Sequence, residues 1–194
     1  MLQEKERVHM YNSQGAVLWF TGLSGAGKTT TAAAVERQLR ERGRRVELLD
    51  GDELRAGICK GLGFSMEDRF ENVTRIAYVA NLLARNGVDV LVSAISPYRA
   101  MRDYARERIP GFVEIYVDCP LHVCEQRDVK GLYAKARAGE IGRFTGISDP
   151  YEAPQDPQLT LNTASVPLEE NVRTVLAYLD RKHRFQPPAG KEVI

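Results

Sequence analysis

Residues 16–39 read AVLWFT, GLSGAGKT and TTAAAVERQL in succession, and the fold turns on that order. Ala16–Thr21 is an apolar run of strand length, Gly22–Thr29 matches G-x-x-x-x-G-K-[S/T], and Thr30–Leu39 is a good helix sequence closed by Gly43. A strand, a glycine loop and a helix are the context in which this pattern wraps phosphate. Glycines let backbone N–H groups turn inward around phosphate oxygens, where a side chain would block their approach. The positive end of the following helix adds to the attraction. Gly22, Leu23, Ser24, Gly25, Ala26, Gly27, Lys28, Thr29 and Thr30 are therefore the candidates to hold a nucleoside triphosphate. Lys28 would supply a mobile charge, and the Thr29 hydroxyl is placed to ligate Mg²⁺. The alternative, a glycine-rich turn that matches by chance, leaves both flanks unexplained.

The whole chain bounds the rest. Its 194 residues suffice for one well-buried α/β domain and are short for two. Counts of 27 basic and 26 acidic residues give a net charge of +1, which argues against a nucleic-acid or membrane surface. No apolar run approaches membrane-spanning length, and the charged start Met1–Arg7 lacks a signal-peptide core. The three cysteines, Cys59, Cys119 and Cys124, form no C-x-x-C pair and read as reduced thiols of a cytoplasmic protein. His122 lies between two of them, but one imidazole and two thiols fall short of a zinc pattern, and core packing is the simpler reading.

Beyond the first unit, apolar and amphipathic runs alternate. Strands are expected at 45–49, 88–93, 112–117 and, shorter, 159–163. Val73, Ile76, Ala77, Ala80 and Leu83 recur at helical spacing, so a helix should run from Glu67 to Arg85 and stop at Asn86-Gly87. Pro97 should open another, to about Arg108, and a last helix should cover Leu168 to Arg181. Strands alternating with helices imply a three-layer α/β sandwich around a parallel five-stranded sheet. The expected organisation is an N-terminal extension (1–14), one domain (15–182) and a C-terminal tail (183–194) in which Pro187–Glu192 is flexible. Residues 127–157, rich in Lys, Arg, Gly and Pro, are long for a connection and read as a mobile basic lid or a disordered insert.

Ligands of such sheets gather at the carboxyl ends of the strands. Gly22, Asp50, Ser96 and Asp118 all fall just past strand ends. Asp50 and Asp52 bracket a glycine beside the phosphate loop. They could hold Mg²⁺ through water or accept a proton from a hydroxyl, although D-G-D is also good turn chemistry. Strand three has no acidic residue at its carboxyl end, since Asp89 stands at its start, so the Asp50/Asp52 pair is the obvious supplier of a metal-side carboxylate. No N-K-x-D guanine motif occurs. Arg55, Arg69, Asn72 and Phe64 cluster after the D-G-D turn, where arginine forks suit an anionic acceptor and a phenyl ring suits a base. In the lid, Arg127, Lys130, Lys135, Arg137 and Arg143 could close over phosphates, or form an ordinary solvated basic loop.

With these residues in view, the chain resembles the adenylylsulfate kinase (APS kinase) family of P-loop kinases. The resemblance rests on T-G-L-S-G-A-G-K-T (21–29), L-D-G-D-x-x-R (49–55), G-L-G-F-S-x-E-D-R (61–69), E-N (71–72) and S-A-I-S-P-Y-R (93–99). It continues through R-D-V-K-G-L-Y-A-K-A-R-A-G-E-I (127–141), F-T-G-I (144–147) and D-P-Y-E (149–152). The phosphate loop is shared by many families, whereas the lid motifs are highly specific. The resemblance implies ATP-dependent phosphorylation of adenosine 5′-phosphosulfate (APS) at its 3′-hydroxyl, giving PAPS and ADP in sulfate activation. It implies Mg²⁺ with ATP, a homodimer, and ATP sulfurylase as a functional partner.

The resemblance also implies roles at matching positions. Lys28 and Thr29 would hold ATP phosphates and Mg²⁺, with Asp50 supporting the metal shell, and Arg127 and Lys130 would meet ATP. Asp52 would face the acceptor hydroxyl as base. Arg55, Arg69 and Asn72 would hold the phosphosulfate, Phe64 and Phe144 would sandwich the adenine of APS, and Ile95, Ser96 and Lys130 would line that pocket. Ser96 matches a serine described in the family as a phosphoserine intermediate, but direct transfer needs no covalent step, and the alternative reading is a residue that lines the acceptor pocket. Two positions depart from the family pattern: Gly142-Arg143 where Lys-Gly is common before F-T-G, and Ser148 where an acidic residue is common. The rival readings are another small-molecule kinase, such as one for a nucleoside monophosphate, and a catalytically silent nucleotide-binding partner of ATP sulfurylase.

Overall fold

The structure, a computed structural model, describes residues 14–184. The expectations for the N-terminal extension and for Pro187–Glu192 lie outside the described residues. Five parallel strands order as β2-β3-β1-β4-β5: β1 (Val17–Thr21), β2 (Val46–Asp50), β3 (Asp89–Ser93), β4 (Phe112–Asp118) and β5 (Leu159–Asn162). The helices are α1 (Lys28–Glu41), α2 (Gly51–Ala56), α3 (Met66–Ala84), α4 (Arg99–Arg108), α5 (Leu121–Arg127), α6 (Leu132–Arg137) and α7 (Leu168–Arg184).

β1 is apolar from Val17 to Phe20 because both of its faces are covered, as central parallel strands require. Its side chains alternate between two cores. Leu18 and Phe20 pack with Val35 and Leu39 of α1 and Val175 of α7. Val17 and Trp19 face Ile76 and Ala80 of α3 and Met101 of α4. The three layers follow, and the switch in strand order beside β1 places the phosphate loop at the crevice where such sheets bind ligands.

Two helices differ from expectation for local reasons. α2 forms where a turn was the alternative, because the Asp50 side chain caps it by accepting from Asp52 N. α4 starts at Arg99, two residues after Pro97. The Pro97 carbonyl accepts instead from Glu152 N, and Ser96 holds a left-handed φ of 45°. Asp89 at the foot of β3 is structural: it accepts from Ala16 N and pairs with Arg44.

For residues 127–157 the structure decides between the two readings, a lid and a disordered insert. Arg127 ends α5, α6 follows, and the remainder is fixed by contacts with β1, α3 and α4. Asp149 pairs with Arg69, Tyr151 shares a hydrogen bond of 2.9 Å with Thr21, and Glu152 accepts from Arg99 N at 2.8 Å. Phe144 and Thr145 are buried. This is an anchored flap, not a disordered insert. Among the described residues no helix is long and apolar enough to cross a membrane. The three cysteines are free and buried.

Candidate active site

The phosphate loop adopts the backbone that its glycines allow. Gly22, Gly25 and Gly27 have positive φ, and a Cβ at Gly22 would stand 2.6 Å from the Val117 carbonyl oxygen. Gly27 gives way directly to α1, whose first turn carries no acidic residue, so the helix dipole faces the loop uncompensated. Lys28 is 9% exposed and its Nζ donates to the carbonyls of Gly22 (3.0 Å) and Leu23 (2.7 Å). Burial lowers its pKa from 10.5 to about 8. Thr163, just past β5, braces the loop by donating to Ala26 O at 2.6 Å, and Arg127 reaches both Thr163 O (2.6 Å) and Gly25 O (3.4 Å).

Three oxygen-bearing side chains meet at the start of α1. Thr29 Oγ1 donates to Asp50 Oδ2 at 2.7 Å and lies 2.9 Å from Ser93 Oγ. Asp50 and Ser93 end neighbouring strands in register, which brings them together. Ser93 was missed by sequence reasoning, which looked for an acid at the end of strand three. A hydroxyl occupies that end, and its signal was the position itself. Hard oxygen donors of this kind fit Mg²⁺ held partly through water.

The residues expected to hold an acceptor line the same cavity, of about 810 Å³, as the phosphate loop. Asp52 stands between the two groups, paired with Lys130 from the flap. Phe64 is 52% exposed with Arg55 stacked over its ring at 4.5 Å. Burial, then the nearby charge of Arg69, lowers the pKa of Arg55. Asn72 is buried, and its Oδ1 lacks a hydrogen-bond partner among the described residues. An orphaned acceptor on a cavity wall is what a ligand donor would satisfy. Ile95, Ser96 and Phe144 also line the cavity.

Arg69 lines the cavity too, but most of its guanidinium is committed elsewhere. It donates to Phe64 O (2.9 Å), Thr145 Oγ1 (2.8 Å), Arg143 O (3.1 Å) and Asp149 Oδ2 (3.1 Å). It thereby pins the Phe144 segment to α3. Ser148 Oγ accepts from Phe144 N at 2.9 Å, so the hydroxyl closes this turn. Gly142 borders open space, so the shifted glycine disturbs no packing. Of the five basic flap residues, Arg127, Lys130 and Arg143 reach the cavity. Lys135 does not line it, and Arg137 turns away to pair with Glu125.

Ser96 is held from both sides. Its Oγ accepts from the Trp19 indole N–H at 3.0 Å and its carbonyl accepts from Arg102 at 2.6 Å. Arg102 is itself fixed by a buried pair with Glu114. Among the described residues Trp19 is the one hydrogen-bond partner of Ser96 Oγ, and an indole N–H cannot remove a proton from a hydroxyl.

A phosphate loop, a corner of hard oxygen donors and a cluster of Arg55, Phe64, Arg69 and Asn72, all opening into one cavity under a flap, are the features of a P-loop kinase of the nucleotide-kinase type. Shikimate kinase from Aquifex aeolicus shares this fold, with a TM-score of 0.51 at 17% identity over 88% of this chain and 99% of its own. More specifically, a model of the adenylylsulphate kinase family matches residues 14–162. The adenylyl-sulfate kinases of Halothermothrix orenii and Rippkaea orientalis are 58% and 59% identical, covering 92% and 91% of this chain and 97% and 98% of theirs. A Mycobacterium tuberculosis APS kinase, solved with AMPPNP and APS, superposes with a TM-score of 0.83 at 49% identity, covering 86% of this chain and 98% of that one. The chain belongs to the adenylylsulfate kinase family.

Proposed function

We propose that the chain transfers the γ-phosphoryl group of ATP to the 3′-hydroxyl of APS, giving ADP and PAPS in sulfate activation. The observation that carries this reading is the placement of Asp52 in one cavity with the phosphate loop on one side and Phe64, Asn72 and Phe144 on the other.

ATP phosphates would lie on residues 22–30, with Lys28 turning from the loop carbonyls to the terminal phosphates. Mg²⁺ would be held by Thr29 and, through water, by Asp50 and Ser93, and would neutralise charge on the β- and γ-phosphates. Arg127 and Thr163 would flank the ATP base. APS would stack its adenine between Phe64 and Phe144. Arg55, with the remaining donor of Arg69, would face its phosphosulfate, while Asn72 and Ile95 complete the pocket. Phosphoryl transfer asks chiefly for in-line positioning and charge neutralisation with water excluded. Asp52 would take the 3′-hydroxyl proton as the bond from that oxygen to γ-phosphorus forms and the bond to the β-phosphate oxygen breaks. Lys130, paired with Asp52 here, is placed to move onto the phosphates as the base engages its substrate. Ser96 is a lining residue in this account, because its hydroxyl has an indole donor and no base beside it.

Replacement Asp52→Asn tests the reading. The kcat should fall by about 10²–10⁴, the usual contribution of a positioned base, with ATP affinity kept within a few-fold. Near-normal turnover would remove Asp52 from that role. We also propose a homodimer that uses the exposed Tyr78 and Leu82, one turn apart on α3, with light scattering as the check. The adenylylsulfate must come from an adenylyl transfer to sulfate, the ATP sulfurylase reaction, and the buried free thiols suit a reducing cytoplasm.

A further inference from the structure

Tyr133 stands where the phosphate loop, the flap and the acceptor pocket meet. Its hydroxyl donates to Ser24 O, inside the phosphate loop, at 2.9 Å. Its ring packs edge-on against Phe144, with centroids 4.9 Å apart and planes at 77°. Its amide donates to Asp128 Oδ1 at 3.0 Å, which fixes the short loop that carries Lys130. The residue is 3% exposed, and burial raises the phenol above its ordinary range, so it remains a donor at neutral pH.

We propose that Tyr133 is a positioning residue that transmits occupancy of the phosphate loop to Phe144. The proposal rests on the reading of that loop as the ATP site and is independent of the acceptor's identity. Lys28 Nζ donates to the carbonyls of Gly22 and Leu23. Triphosphate oxygens compete for the same ammonium. As Lys28 turns toward them, those two carbonyls lose a charged donor, and the peptide at Ser24, next in the chain, readjusts. The phenol is hydrogen-bonded to that peptide, and its rigid ring carries the shift to Phe144. Phe144 moves as part of a unit, because its carbonyl accepts from the amides of Ile147, Ser148 and Asp149, and Gly146 N donates to Asp149 O. Coupling of this kind is reciprocal: whatever ATP does to the Phe144 turn, an acceptor stacked on Phe144 returns to ATP.

An apolar contact also joins the phosphate loop to the Phe144 turn. Leu23 packs against Gly146, where an added Cβ would lie 3.0 Å from Leu23 Cδ2. The test therefore separates a polar route through Tyr133 from an apolar route through Leu23. Hydrogen exchange at the amides of residues 146–149 would be measured with and without saturating AMPPNP and Mg²⁺, in the parent protein, Tyr133→Phe and Leu23→Ala. Saturation ensures that weaker binding does not imitate lost coupling. Tyr133→Phe keeps the ring on Phe144 and deletes only the hydroxyl. In the parent, AMPPNP should slow these amides about fivefold or more, the equivalent of one hydrogen bond. Tyr133→Phe should bind AMPPNP yet lose most of that slowing, and Leu23→Ala should retain it. Full protection in Tyr133→Phe, loss in Leu23→Ala alone, or no protection in the parent would each overturn the proposal. Failure of the parent to bind AMPPNP would overturn it together with the ATP-site reading, a result distinct from lost coupling in a protein that binds.

Discussion

Replacing Arg69 with methionine should separate the acceptor half of the site from the nucleotide half. The side chain is 7% exposed and donates to two carbonyls, one hydroxyl and the Asp149 carboxylate, which is 21% exposed. Methionine fills much of the volume but leaves all four acceptors without their donor. Each buried unpaired group costs about 1–3 kcal/mol, and breaking a buried ion pair costs about 3–5 kcal/mol. Water can reach Asp149 and offset part of the loss, so the lower bound of the ion-pair range, about 3 kcal/mol, is the expected destabilisation. That is a large share of a typical domain stability of about 5–15 kcal/mol. Three of the four groups released belong to residues 143–149, so Phe144 loses its fixed position while the phosphate loop keeps its own contacts. Urea unfolding followed by circular dichroism would measure the stability. Steady-state kinetics should then show the acceptor KM raised about tenfold or more, and the ATP KM within about threefold. Asp149→Asn, which keeps a neutral acceptor, should lie between the parent and Arg69→Met in both assays. Loss of less than about 1 kcal/mol, or equal shifts in both KM values, would refute the assignment of Arg69 as the clamp on this segment.

Three further outcomes follow from the geometry. Phe64→Ala should leave stability within about 0.5 kcal/mol because the ring is half exposed, yet weaken APS about tenfold, as the loss of one base–aromatic stack predicts; calorimetric titration reads both nucleotides. Asp50→Asn keeps an oxygen to cap α2 but removes a charge from the metal corner, so the Mg²⁺ concentration for half-maximal activity should rise about tenfold or more. Lys28, lowered by burial from 10.5 to about 8, carries a burial penalty that is complete below pH 8, where both states are charged. Between pH 8 and 10.5 the unfolded chain binds more protons, so the parent should gain up to about 3 kcal/mol relative to Lys28→Met across that window. Urea unfolding at pH 7.5 and pH 10 would check this, and a falling difference would contradict it.

The sequence made the central unit legible because strand, glycine loop and helix are local signals, and the burial of β1 on both faces leaves no polar interruption in Val17–Phe20. The other strands were equally visible as apolar runs, each placed to within a residue or two. Strand order was not, since nothing in a run such as Val90–Val92 names its neighbours. The flap's anchoring, unlike its basic character, was not legible for a definite reason. Composition reports the many exposed Lys and Arg side chains, whereas order there comes from a few contacts between distant residues, such as Arg69 with Asp149 and Tyr151 with Thr21. α5 and α6 are two turns or less and too short to show a period. Asp50, Asp52, Phe64 and Asn72 were singled out by position and type, and all four line the same cavity. Ser93, Tyr133 and Thr163 were missed because their value lies in partners 64, 109 and 137 residues away.

The most direct measurement is ADP release by the purified protein with ATP and Mg²⁺, comparing APS with AMP as acceptor and identifying the phosphorylated product. The account predicts turnover with APS, PAPS as product, and no comparable rate with AMP. Turnover with AMP alone would make the protein a nucleotide kinase, and ATP binding without turnover on either acceptor would make it a silent partner; both results contradict the account.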